Sequence, residues 1–117
     1  MLCEFLWKGL SIVLKYQKII DCLLSVTSNV FHFFAKNAEY PYIVWKESGE
    51  GSEVAADNQK LQCSIGFDID LYFKTVDYEF IKKLEKAFNT NRISFQLTDV
   101  EYDENSQFIN YHYEAEI

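Results

Sequence analysis

Thirteen consecutive residues, Leu61 to Phe73, alternate without a break between two kinds of side chain. Leu61, Cys63, Ile65, Phe67, Ile69, Leu71 and Phe73 fall on one side, and Gln62, Ser64, Gly66, Asp68, Asp70 and Tyr72 on the other. Successive side chains of an extended chain point to opposite faces, so a β-strand is the conformation that gathers the apolar set onto one surface. A strand this long crosses an entire domain. One of its faces belongs to the core and the other to water or a partner.

The flanking sequence supplies the neighbours such a strand needs. Val30 to Phe34 and Tyr42 to Trp45 are short β-branched and aromatic runs joined by Ala35 to Glu39, and each predicts a strand. Pro41, the only proline, stands where the second of these begins, a position that tolerates its missing N–H. Residues 47–60 (ESGEGSEVAADNQK) concentrate glycine, serine and acids, and are expected to form a long hairpin loop. After the long strand, Thr75 or Asp77 can cap a helix in which Phe80, Ile81, Leu84, Ala87 and Phe88 recur at helical spacing. Glu79 and Lys83 are placed to pair on its outer side, and Asn89-Thr90-Asn91 breaks it. Ile93, Phe95 and Leu97 then alternate, but Val100 and Tyr102 are out of phase, which predicts a bulge near Thr98-Asp99. Asp103 to Ser106 makes a turn. The last strand puts Ile109, Tyr111, Tyr113, Ala115 and Ile117 opposite Asn110, His112, Glu114 and Glu116.

The first residues read as helix. Glu4, Lys8, Ser11, Lys15, Lys18, Asp21 and Ser25 collect on one side, and Leu2, Leu6, Leu10, Val13, Ile20 and Leu24 on the other. Trp7 and Leu14 fall on the charged side, so either they meet a partner chain or the helix bends or breaks near Gly9. Within residues 1–16 the longest uncharged run, Gly9 to Leu14, is too short for a secretion signal or a membrane span. Docking on the domain or on a neighbouring subunit is therefore expected before attachment to a membrane surface. The whole is expected to be a single α+β domain over residues 1–117. Its sheet is mostly antiparallel with four to five strands, and its helices pack on one face.

The charge excludes one class of partner. Eighteen acids face eleven bases, a net charge of -7, which repels a phosphate backbone. The surplus lies beyond residue 36, since the earlier segment holds four lysines and two acids. Cys3, Cys22 and Cys63 are odd in number and far apart, so they suit neither a disulfide framework nor a zinc site, and reduced thiols in a cytosolic compartment are expected. His32 and His112 lie on strand segments without the spacing of a metal motif. Asp68 and Asp70 share a strand face, but no second acid or cleft accompanies them for glycosidase-type chemistry. No phosphate loop or nucleophile elbow occurs. No catalytic residue, metal or cofactor is expected.

Five fragments carry a resemblance. YPYIVW (Tyr40 to Trp45), AADNQK (Ala55 to Lys60), IDLYFKT (Ile69 to Thr75), DYEFIKKLEKAF (Asp77 to Phe88) and the closing INYHYEAEI stand in this order. Over roughly residues 18–117 the chain resembles small tail completion proteins, or tail terminators, of siphophages and prophages. The family's charged helix start is replaced here by Phe80 and Ile81, and residues 1–16 form an apolar extension with little counterpart. The resemblance implies a structural protein of the virion neck, made in the host cytoplasm. It would form a ring, usually a hexamer, at the head-proximal end of the tail. Its partners would be other copies of itself, the tail tube protein and the head–tail connector. It also implies that Glu50, Glu53, Asp57 and Asn58 project into the lumen or toward the tube, where acids would repel passing DNA.

A ring closes through two unlike patches on each protomer. The candidates are Asp68, Asp70 and Tyr72 on the second face of the long strand, the exposed side of the last strand, and Trp7 with Leu14. Two other readings stay open. A dimeric ligand-binding or regulatory module predicts two-fold assembly around an apolar pocket. A peripheral membrane or small enzymatic domain predicts lipid binding through Lys8, Lys15 and Lys18.

Overall fold

The computed structural model describes residues 8–50 and 64–117. Helix α1 (Lys8–Leu24) leads to β1 (Val30–His32), β2 (Tyr42–Glu50), β3 (Ile65–Phe73), helix α2 (Tyr78–Thr90), β4 (Ser94–Asp103) and β5 (Phe108–Glu116). The five strands form one sheet in the order β1-β2-β3-β5-β4. Only β1 and β2 run parallel, which makes an otherwise antiparallel sheet mixed. The alternating strand β3 lies in the middle, as a strand buried along one whole face should.

Register explains the core. Trp45, Ile69 and Tyr113 stand abreast, followed by Ile43, Leu71 and Tyr111, with Leu97 and Val100 of β4 continuing the two rows beyond the buried cluster. The helices cover this face. Ile19, Cys22, Leu23 and Val26 from α1 and its end, with Leu84 and Phe88 from α2, join Phe67, Ile69, Leu71, Phe73 and Tyr113 in one buried cluster. The bulge expected near Thr98-Asp99 falls between Leu97 and Asp99, so Thr98 is the extra residue and Val100 returns to the side of Leu97. Thr98 Oγ1 donates to the His112 carbonyl at 3.1 Å.

Helix α2 starts where its cap dictates. Asp77 is extended, and its carboxylate accepts from the Phe80 N–H at 3.1 Å. At the other end the Asn91 backbone and side chain both donate to the Ala87 carbonyl. On its exposed side Glu79 meets Lys82 at 3.8 Å, one position earlier than the expected pairing with Lys83.

Three expectations are corrected. Residues 47–50 belong to β2 rather than to the loop, held by pairing with β3 across a bulge between Glu47 and Gly49. Gly49 takes φ +103° there, a left-handed conformation that glycine adopts without strain. Strand β1 stops at His32 instead of Phe34, because Phe33 turns to φ +73°. Helix α1 also presents a different stripe to the sheet. Ile19, Cys22 and Leu23 are buried, whereas Val13 and Leu24 are 62% and 49% exposed. Apolar residues surround most of this helix, so its period alone does not select a face. The edge-on contacts of Tyr16 with Trp45 and Phe67 do.

Candidate functional site

The sheet's second face carries no helix among the described residues, and register arranges its side chains in rows. Tyr42, Tyr72, Asn110 and Glu101 stand abreast, then Val44, Asp70, His112 and Asp99, then Lys46, Asp68, Glu114 and Gln96. The first row continues an aromatic strip. Tyr42 stacks on Tyr72 at 4.9 Å, Tyr40 and Phe31 lean on Tyr42, and Phe108 meets Tyr72 edge-on. Burial, with Asp70 and Tyr42 beside it, pushes the Tyr72 phenol up to about 12. It is a neutral hydroxyl at any physiological pH.

The second and third rows meet around His112. Its Nδ1 lies 2.7 Å from Asp70 Oδ1 and its Nε2 lies 3.5 Å from Asp68 Oδ1. Asn110 Nδ2 donates to the same Asp70 oxygen at 3.3 Å. Asp68, His112 and Glu114 offer ligand atoms that all lie within 4.8 Å of one another. Asp68 and Glu114 border a groove of about 520 Å³ whose walls include Ser48, Gly66, Ser94 and Gln96. Further out, Glu101 is held above the usual carboxylate range because it shares a hydrogen bond with Asp99 and feels its charge.

The sheet's two edges form a second feature. Beyond β1, Phe33 and Phe34 are 58% and 73% exposed, with the Phe33 ring 4.3 Å from His32. His32 stacks on Trp45 at 4.0 Å and bonds Glu47 at 2.8 Å, so the base of this projection is fixed. On the opposite edge Leu97, Val100 and Tyr102 of β4 are also exposed, because the strand runs past the cover of α2. A bulky residue at positive φ costs about 1–3 kcal/mol, and such outliers concentrate at working surfaces. Phe33 is one, and both it and Phe34 are left exposed beyond the strand end.

Of the residues singled out from sequence, Asp68, Asp70 and Tyr72 share the open face as expected, and Leu14 is 61% exposed on α1. Trp7, Glu53, Asp57 and Asn58 lie outside the described residues, as does the side chain of Glu50, which ends β2. The edge residues Phe33, Phe34, Leu97, Val100 and Tyr102 escape a sequence reading, which counts strand-period apolar residues as core. His112 is missed for another reason, since its partners sit on a strand some forty residues earlier. A signal was present: Asp68/Asp70 and His112/Glu114 are two pairs at spacing two on alternating strands.

Among the described residues no helix is long and apolar enough to cross a membrane. No known family's model and no curated protein matches this chain.

Proposed function

We propose that this protein is a tail completion or tail terminator protein of a siphophage or prophage. It caps the tail tube as a ring of identical chains and offers the head connector its docking surface. Two things support this: the five family-like fragments and a surface that suits cyclic self-association. The observation that carries it is the pair of exposed apolar clusters on opposite edges of one sheet, Phe33 and Phe34 beyond β1 and Leu97, Val100 and Tyr102 on β4. A head-to-tail contact joins two unlike patches, and a sheet that presents one at each edge can repeat the contact until it closes. The acidic open face, with Asp68, Asp70, Asp99, Glu101 and Glu114, does not compete for DNA.

The test is genetic and microscopic. Disrupting the coding sequence in the phage or prophage that carries it is expected to leave filled heads and unjoined tails, and the chain supplied in trans restores joined particles. Complete virions of normal tail length from the disrupted genome would end this proposal.

A further inference from the structure

The open sheet face contains a place where two acceptors confront each other. An ionised carboxylate can only accept hydrogen bonds, so the ring nitrogen of His112 that lies 2.7 Å from Asp70 is the one that carries the proton. Asn110 donating to the same oxygen fits Asp70 as acceptor. In the neutral imidazole this fixes the tautomer and leaves Nε2 with a lone pair. That lone pair faces Asp68 Oδ1, a second acceptor, at 3.5 Å. A positive species between them resolves the confrontation. A charge-assisted hydrogen bond would draw the two atoms to about 2.7–2.9 Å. Tetrahedral coordination with bonds of about 2.1 Å sets neighbouring ligand atoms about 3.4 Å apart. The 3.5 Å between Nε2 and Asp68 Oδ1 leaves room for both atoms to bind one ion.

We propose that Nε2 of His112, the Asp68 carboxylate and the Glu114 carboxylate form a binding site for a divalent transition ion of the zinc class. Asp70 holds the imidazole in place. One imidazole with two carboxylates is a mixed N/O donor set, which suits such ions better than magnesium or calcium with their all-oxygen shells. The three ligand atoms already lie within 4.8 Å of one another, and Glu114, the exposed member, can close the remainder by side-chain rotation. A carboxylate on the far ring nitrogen is the outer-shell partner that metal-binding histidines usually have. The ligands come from β3 and β5, adjacent strands whose register pairs Asp68 with Glu114 and Asp70 with His112. The backbone ladder therefore preorganises the site. The groove bordered by Ser48, Gly66 and Gln96 leaves the fourth position to water or to an oxygen from a partner. This inference is independent of the role proposed above.

Isothermal calorimetry with Zn²⁺ on the full-length, untagged chain tests it, with the Co²⁺ complex followed by absorption to identify the donors. The expected result is one ion per chain, with a cobalt spectrum free of thiolate charge-transfer bands, and a thermal midpoint that rises with ion concentration. His112→Gln, which keeps a donor toward Asp70, is expected to abolish binding. Asp70→Asn is expected to weaken it about 10–100-fold, the usual effect of losing an outer-shell partner. Circular dichroism controls for folding, and if His112→Gln does not fold, Glu114→Gln at the exposed position carries the test. No uptake by the wild type at millimolar ion, equal affinity in the folded His112 or Glu114 variant, or a thiolate signature would each overturn the proposal.

Discussion

At residue scale, Glu47 shows how opposing effects on one side chain are decided. Partial burial disfavours its charge, but hydrogen bonds from His32, its own backbone and Tyr16 outweigh that and hold the carboxyl below its ordinary value of 4.5. A carboxyl with a lowered value binds its proton more weakly in the folded chain than in the unfolded one. Its stabilisation is therefore complete above the ordinary value and is lost as pH falls through the lowered one. Urea unfolding of wild type and Glu47→Gln is expected to differ by about 1 kcal/mol at neutral pH, the scale of one net hydrogen bond. The difference should fade as pH falls below the ordinary carboxyl value and the charge is titrated away. A gap that persists unchanged in acid would mean that shape rather than charge holds His32. Tyr113 is the contrasting case: burial and its 2.6 Å bond to Glu85 push the phenol up, so it remains a proton donor at neutral pH.

At the scale of elements, α2 was legible because its boundaries are chemical. Asp77 and Asn91 cap it through their own side chains, and the apolar spacing places Leu84 and Phe88 on the core. Asp77→Ala is expected to cost about 1 kcal/mol, with Asp77→Asn close to neutral, because the capping carboxylate is lost in one and replaced by another acceptor in the other. Chemical denaturation checks it, and equal effects from the two would remove the cap from the account. Helix α1 was less legible. Apolar residues on most of its circumference allow several docking faces, and the aromatic groove formed by Trp45 and Phe67 selects the one led by Tyr16. The extension of β2 through Gly49 was hidden as well, since Ser48-Gly49-Glu50 reads as loop until β3 offers it a partner.

For the whole molecule, the decisive question is whether its two apolar edges meet each other. Phe34→Asp and Val100→Asp each remove one edge patch. Each alone is expected to block self-association, and an equimolar mixture is expected to form only pairs, because a single intact contact remains and cannot propagate. Sedimentation or mass photometry at high protein concentration reads this out. If one variant abolishes association and the other leaves it intact, the contact is two-fold through a single edge. The sequence by itself determined the α+β class, the central strand with its two faces, the capped second helix and the bulge in β4. These depend on periodicity and short-range hydrogen bonding, which neighbouring residues fix among themselves. Tertiary structure decided the parallel pairing of β1, the face on which α1 docks, the meeting of Asp68, Asp70, His112 and Glu114, and the exposure of Phe33 and Val100. Each of these depends on which distant segments share a ladder and how far the helices reach across it, and no local pattern encodes either.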